Sequence, residues 1–342
     1  MLKGVKPAVK KKVKFSIPYN GDLKLVKEAI SSGQVYEVYF AGPKGFDFSD
    51  SFENNSFYSR GEIIALLDYC RRNRVRANLL VNKKIMFFED LRKIESSINR
   101  LLRDEKIDSL TVSDTFLVPF LKKKFPLLKL QSSIYMGIDN VYKAREALKM
   151  GITLLGLDPS VNRRGEELKK IMGLKKIFPE MKVKLLGILT CYSNCFFAST
   201  HSQVPLLLGV LNKSSLRGRD LLGKRISPFA CHYQSEDISD ELKRPFIRPE
   251  DISYYEDNGL ADYIKIAYRD EDSPTLREKY AAYFSRTYKG NLFLLMDSTK
   301  HAKICCDNKK IPSSFIRKVM NCDKDCSSCS YCRRLSLRLI KE

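Results

Sequence analysis

The final part of the sequence places four cysteines close together, in the stretch "CDKDCSSCSYC". Cys322, Cys326, Cys329 and Cys332 have the spacing C-x3-C-x2-C-x2-C. Zinc sites usually combine two separated cysteine pairs. Four thiols on one short loop are more typical of a [4Fe–4S] cluster, because such a loop can reach all four corners. The tail therefore predicts an iron–sulfur cluster, with zinc as the alternative.

The first three of these cysteines also match C-x3-C-x2-C, the signature with which radical S-adenosylmethionine enzymes bind their catalytic cluster. In those enzymes the motif follows the first barrel strand, and no fourth cysteine comes close behind it. Here the motif lies near the end of the chain. We therefore interpret the tail as a structural or electron-relay cluster.

A second group of cysteines comprises Cys191, Cys195 and Cys231, in an irregular stretch that also holds His201. The two groups supply seven thiols, whereas two fully protein-bound cubanes need eight. A further cysteine or histidine ligand, a cysteine shared between clusters, or a cluster with one open iron would each explain the number. An open coordination position is what a catalytic metal site needs to bind substrate.

The elements that must position these groups alternate regularly along the chain. Short apolar, β-branched runs, which suit strands buried on both faces, are separated by segments with apolar residues at helical spacing. Eight such strands predict a (β/α)8, TIM-barrel-like fold, with a doubly wound open sheet as the alternative. We predict a barrel over residues 1–292, interrupted after strand seven by an insertion at 190–248, and a cysteine-rich segment over 293–342.

Polar residues occupy the predicted carboxyl ends of the strands, where barrel enzymes carry their active sites. Asn82 is a candidate for substrate binding, and Asp114 and Asp158 are candidates for proton transfer. His201 is a further candidate for proton transfer, since histidine titrates near neutrality. Asp and Asn side chains also cap helices, which is the competing interpretation for each strand-end residue.

Charge and cysteine usage indicate partners and compartment. The net charge is +21, from 61 Lys and Arg against 40 Asp and Glu, which suits a polyanion such as RNA or simply a basic solvated surface. Ten cysteines without a recognisable export signal favour a reducing, cytoplasmic location. No run approaches the roughly 20 apolar residues of a membrane helix, so we expect no membrane partner.

The order of these features resembles the collagenase-like peptidase family U32. The likeness spans roughly residues 13–290 and includes "QSSIYMGIDN" after strand five, the cysteine-rich insertion, "FIRPEDI" and "DYIKIAYRD". It implies a barrel with a cysteine-bound [4Fe–4S] cluster. Despite the family's name, it also implies oxygen-independent hydroxylation of RNA bases or quinone precursors.

The resemblance assigns roles to individual residues. The insertion cysteines Cys191, Cys195 and Cys231 match the family's cluster region. Ser132, Ser133 and Asn140 match its serine-rich segment, and Lys265 and Arg269 match its K-I-x-x-R end of strand eight. The lead "GILTCYSNC" differs from the family's HG-x-x-C, and this difference leaves the substrate open.

We therefore expect an enzyme with two [4Fe–4S] clusters that modifies RNA, a small aromatic metabolite or a peptide, with an electron-donor protein as a further partner. Lys265 and Arg269 would hold an anionic substrate, unless they form ordinary salt bridges with Asp262 or Asp270.

Two other classes of function compete with this expectation. The first is a peptidase, although the sequence lacks G-x-S-x-G and H-E-x-x-H, and its adjacent Cys231 and His232 are poorly placed for catalysis. The second is a non-catalytic iron–sulfur or RNA-binding protein, although RNP-type aromatic motifs are lacking.

Overall fold

Eight parallel strands close into a barrel in chain order, β1 to β8, with β8 pairing back to β1. The computed structural model describes residues 12–44, 46, 48–49, 58–83, 88–102, 107–188, 239–296 and 304–341. The barrel strands are β1 Lys14–Pro18, β2 Val35–Phe40, β3 Arg76–Val81, β4 Ser109–Val112, β5 Lys129–Ser132, β6 Ile152–Gly156, β7 Lys182–Leu186 and β8 Tyr263–Lys265. The predicted TIM-barrel-like fold is confirmed, and the open-sheet alternative is wrong.

Helices follow the strands as the apolar spacing predicts. Their bounds are α1 Leu23–Ser31, α2 Arg60–Arg72, α3 Phe88–Arg100, α4 Leu117–Lys124, α5 Val141–Lys149, α6 Gly165–Gly173, α7 Asp240–Lys243, α8 Ile252–Asp257 and α9 Ser273–Ser285. Three more belong to the C-terminal segment: α10 Leu292–Met296, α11 Phe315–Met320 and α12 Tyr331–Leu339. Within the described residues, no helix is long and apolar enough to cross a lipid bilayer.

The main core lies between the outer face of the barrel and the helices. Alternate strand residues such as Phe15, Ile17, Leu79 and Val81 are completely buried there. Side chains alternate across a strand, so the intervening residues point into the barrel. The inward-facing set is unusually polar and includes Ser16, Glu37, Asn78, Ser109, Thr111, Gln131 and Lys184.

The C-terminal segment packs on the rim of the barrel and shares its core. Two short strands, β9 Cys305–Cys306 and β10 Ile340–Lys341, pair antiparallel and bring the two ends of this segment together. Phe315 of α11 lies against the guanidinium of Arg163, which follows β6 on the side of the strand's carboxyl end. The tail is therefore attached to the end of the barrel where active sites lie.

Candidate functional site at the barrel mouth

A buried charged network fills the middle of the barrel. The ammonium of Lys184 on β7 donates to Glu37 Oε1 of β2 at 2.6 Å and to Gln131 Oε1 of β5 at 2.5 Å. Gln131 Nε2 donates to Glu37 Oε2 at 2.7 Å, and Ser16 Oγ donates to Glu37 Oε1 at 2.6 Å. Strands β2, β5 and β7 are not neighbours in the sheet, so the bonds among Glu37, Gln131 and Lys184 cross the barrel interior, whereas Ser16 reaches Glu37 from the adjacent strand β1. Burial opposes ionisation of Glu37, but Lys184, Ser16 and Gln131 outweigh it and lower the pKa of this carboxyl.

Lys265 lies at the carboxyl end of β8, where it is half-buried. Its ammonium lies over the Tyr39 ring, 4.1 Å from the centroid. In the part of the chain that the structure describes, Lys265 has no carboxylate partner. Asp262, one of its two possible salt-bridge partners, pairs with Lys175 at 2.8 Å instead. The alternative of a Lys265–Asp262 salt bridge is therefore wrong. Burial lowers the pKa of Lys265 to about 7, the charges of Lys184 and Arg269 act in the same direction, and the charge of Glu37 opposes them.

Tyr39 supports Lys265 from below. Its hydroxyl donates to the carbonyl oxygen of Ile266 at 2.9 Å, which fixes the ring beneath the lysine. Burial raises the pKa of Tyr39 well above its usual value, and Arg269 acts against that rise. Lys265 and Arg269, predicted from the resemblance, are thus close enough to act electrostatically on the same phenol. The two residues form what we call the mouth cations.

Glu271 brings a carboxylate to the same end of the barrel. One of its oxygens pairs with Lys279, which is 1% exposed, while Oε2 is buried without a hydrogen-bond partner among the described residues. Burial raises the pKa of Glu271, although Lys279 opposes the rise. A carboxyl group with a raised pKa and a spare oxygen is suited to proton transfer.

The two aspartates predicted for proton transfer cap backbone groups. Asp114 Oδ1 accepts from Phe116 N at 2.8 Å, and Asp158 Oδ1 accepts from Ser160 N at 2.9 Å. Both lie at strand ends, as predicted, and each uses one carboxylate oxygen locally. Their part in catalysis stays a prediction.

The four residues predicted to bind substrate also make local contacts. Asn140 Oδ1 caps α5, accepting from Tyr142 N and Lys143 N at 3.0 Å each. Ser133 accepts from Tyr135 N at 3.3 Å, and Ser132 donates to Gly156 O at 3.1 Å. Asn82 is buried and its carbonyl accepts from Ser113 Oγ at 2.9 Å. Their substrate role remains a prediction.

The insertion leaves and re-enters at the barrel mouth. Gly187, just after β7, donates its N–H to Lys265 O, and Ile247 N in turn donates to Gly187 O, both at 2.9 Å. Four residues predicted to act at the mouth lie between these anchors in the sequence, outside the described residues. They are the predicted metal ligands Cys191, Cys195 and Cys231 and the acid–base candidate His201. The described flanks are therefore consistent with chemistry at the mouth.

The four tail cysteines line one small cavity of about 30 Å³. They share it with Lys243, Lys318, Val319 and Tyr331. All four are free thiols; Cys326 and Cys329 are exposed, whereas Cys322 and Cys332 are half-buried. Across the described residues, no three Cys, His, Asp or Glu side chains already converge tightly enough to hold a metal ion. Binding of a metal at this cavity would therefore require the thiols to move closer together.

A larger cavity of about 310 Å³ lies at the opposite end of the barrel. Arg71, Arg74, Arg76 and Lys129 line it with Asp108. It is basic, but it surrounds the amino ends of β3 and β5, which in barrel enzymes serve stability rather than catalysis. We place the candidate site at the mouth for this reason.

Comparison with known protein families identifies the family of this chain. The sequence profile of peptidase family U32 matches residues 21–202, more than half of the chain. The chain therefore belongs to peptidase family U32, as the sequence resemblance predicted.

A full-length relative comes from Methanocaldococcus jannaschii and is described as "Uncharacterized protease MJ1657". It is 25% identical over 355 residues, covering 96% of this chain and 99% of the relative. Among solved structures, "The Structure of the U32 Peptidase Mk0906" has a TM-score of 0.49 at 13% identity, covering 77% of this chain and 95% of that one. "Native KDPGal structure" has a TM-score of 0.42 at 12% identity, covering 81% and 96%.

Proposed function

We propose that this U32-family chain is an iron–sulfur enzyme that carries out an oxygen-independent, hydroxylation-like modification of an anionic substrate at the barrel mouth. RNA and small aromatic acids are the substrate classes that the basic chain favours. The observation that carries the proposal is Lys265, an amine at the catalytic end of a barrel that has no carboxylate partner among the described residues.

The mouth cations supply substrate binding. Arg269 offers a planar set of donors for a carboxylate or phosphate. Lys265 has a pKa of about 7, so both its charged and its neutral forms exist near neutrality. It can therefore hold an anion when protonated, or exchange a proton with the substrate.

Glu271 supplies a second proton-transfer group. Its buried, unpartnered oxygen and raised pKa suit a carboxyl that both donates and accepts a proton at moderate pH. Lys279 holds the other oxygen and fixes the orientation of the group. We therefore favour Glu271, oriented by Lys279, over Asp114 and Asp158 as the group that transfers protons.

Cys191, Cys195 and Cys231 would hold the iron–sulfur cluster that the family implies. A set of three thiolates suits a cluster with one open iron, and the described flanks of the insertion are anchored at the mouth. When bound, such a cluster would polarise the oxygen-bearing group of a cosubstrate, which supplies the added oxygen atom and is itself reduced by two electrons, so that no molecular oxygen is needed.

The test combines cofactor and product analysis. The full chain, purified without oxygen, is compared with Cys191→Ala for iron and acid-labile sulfide. Each protein is then incubated with RNA from cells that lack the gene for this protein. The RNA is digested to nucleosides, and mass spectrometry shows whether any nucleoside has gained the mass of an oxygen atom. We expect Lys265→Met to lower the rate by roughly 10²–10⁴-fold.

The matched control is Lys129→Met, which removes an exposed lysine at the other end of the barrel and should leave the rate unchanged. Equal activity of Lys265→Met and the wild type would overturn the assignment of the mouth. Iron that is unaffected by loss of Cys191 would overturn the assignment of the cluster.

Peptide hydrolysis is the second candidate, favoured by the name of the archaeal relative and of the family. None of the three histidines lies among the described residues, so a Cys–His pair is a matter for experiment. The test is whether the protein releases peptides from unfolded casein. If Cys231→Ala abolishes this release and removal of iron does not, peptide hydrolysis would replace the iron–sulfur chemistry as the proposed function.

A further inference from the structure

The tail carries a second group of candidate ligands at the carboxyl end of the barrel. We propose that Cys322, Cys326, Cys329 and Cys332 together bind one thiolate-coordinated metal centre, with the buried Arg163 as its counter-charge. Soft metals that prefer thiolate ligands share this chemistry, either as a [4Fe–4S] cluster or as a single zinc ion. The inference goes beyond the proposed function, because it holds whatever reaction the mouth performs.

The first argument is that all four cysteines line one cavity. Spacing in the sequence does not ensure this placement, because α12 begins at Tyr331 and could have turned Cys332 away from the other three. Instead all four line the same space, between α11, α12 and the short helix α7. The backbone N–H of Lys324 already donates to Cys322 Sγ at 3.4 Å, a contact typical of thiolate ligands in loops.

Arg163 provides the second, independent argument. It is 2% exposed; Nη1 donates to Leu242 O at 2.8 Å and Nε donates to Phe246 O at 3.2 Å. Its remaining terminal nitrogen, Nη2, is buried and has no hydrogen-bond partner in the described parts of the chain. A buried, charged guanidinium with an unused donor is costly unless a negative charge lies close by.

Asp251 also acts electrostatically on Arg163, but it is already paired with Arg248 at 2.6 Å, which makes the tail site our candidate for the missing negative charge. Arg163 is close enough to Cys332 to act electrostatically on the thiol. Two aromatic rings sandwich its guanidinium, Phe246 at 4.2 Å and Phe315 at 5.1 Å, and keep water away. Four thiolates on a metal leave a net negative charge, which a buried cation stabilises in such surroundings.

The cationic lining of the cavity points the same way. Lys243 and Lys318 face it, and Lys324 is anchored beside it by a hydrogen bond from Nζ to Val319 O at 2.8 Å. Asp323 and Asp325 lie on the same loop, and Asp325 accepts hydrogen bonds from Ser327 and Ser328. Lys243 is also paired with Asp240 at 2.5 Å, so among the described residues Lys318 and Lys324 are the cations that would balance the deprotonated thiols.

The experiment separates this site from the insertion. Full-length protein carrying Cys191→Ala, Cys195→Ala and Cys231→Ala is purified without oxygen, and its iron, zinc and sulfide are measured. We expect either about four irons with matching sulfide, or about one zinc, per chain. Adding Cys326→Ala and Cys332→Ala should remove this metal.

Cys305→Ala is the matched control. Cys305 is an exposed free thiol in the same C-terminal segment but does not line the cavity, so its loss should leave the metal in place. Absence of bound metal from the triple variant, or an equal amount after loss of Cys326 and Cys332, would overturn the site. Because metal content is measured and not activity, failure here is distinct from failure of the mouth proposal.

Arg163 is tested as a positioning residue. Arg163→Lys keeps the charge, whereas Arg163→Gln removes it, and both lose the guanidinium hydrogen bonds. If the positive charge of residue 163 stabilises the metal centre, a chelator should remove metal several-fold more slowly from the lysine variant than from the glutamine variant. The two variants should have equal melting temperatures, so that a difference in folding does not explain the result. Equal rates of metal loss would leave Arg163 a purely structural residue and overturn its assigned role.

Discussion

Two lysines face the inside of the same barrel, and their surroundings are opposite. Lys184 is 5% exposed and is held by Glu37 and Gln131, so its charge is balanced within the protein. Lys265 lies nearer the carboxyl end of the barrel, over a tyrosine ring and without a carboxylate partner in the described parts of the chain. The comparison teaches that a buried charge with complete pairing serves the fold, whereas an unpaired one is available to a substrate.

The largest expected effect comes from breaking the paired lysine. Glu37→Gln leaves the ammonium of Lys184 buried without an opposite charge, which should lower the free energy of unfolding by about 3–5 kcal/mol. Denaturant unfolding followed by circular dichroism measures this loss.

A double variant sharpens the interpretation. Glu37→Gln with Lys184→Met removes both charges, and we expect it to recover much of the stability that the single variant loses. If the single variant is as stable as the wild type, the network does not hold the barrel together.

An intermediate effect is expected from the unpaired lysine, and it depends on pH. Lys265 has a pKa of about 7 in the fold, against an ordinary value of 10.5. Between these values the unfolded chain binds the proton and the folded chain does not, so stability rises with pH across this window. The unfolding free energy of the wild type, measured relative to Lys265→Met, should therefore increase from pH 7 to pH 10. A flat difference would show that the ammonium is well solvated.

The smallest expected effect concerns one hydrogen bond of the network. Ser16→Ala removes the donor that reaches Glu37 Oε1 at 2.6 Å, which should cost about 1–3 kcal/mol because the acceptor is charged and buried. Ser31→Ala is the control: its hydroxyl is exposed on α1, so thermal unfolding should hardly change. Similar losses in the two variants would contradict a special role for the network.

The fold was predictable because each element carries its own signal. Runs such as "VYEVYF" and "KVKLLG" contain enough β-branched and apolar residues to mark strands, and the segments between them have helical spacing. The N-cap of α2 was equally local: Ser59 and Glu62 form a capping box that the sequence alone contains. Closure then follows from eight alternating units.

The interior network was not predictable, because its members meet only when the barrel closes. Glu37 and Lys184 are 147 residues apart in the chain. A charged residue inside an otherwise apolar strand was the available signal, present in both runs quoted above. Glu271 and Arg163 were missed for a similar reason: their importance rests on buried atoms without partners, which is a property of packing rather than of sequence.

The antiparallel pairing of Ile340 with Cys306 and of Lys341 with Cys305 has a consequence for maintenance of the protein. This short ladder fastens both ends of the stretch that carries the four thiols. Such a stretch can open locally and close again while the barrel stays folded. If the tail binds the metal proposed above, that metal would be able to leave and return without unfolding of the barrel.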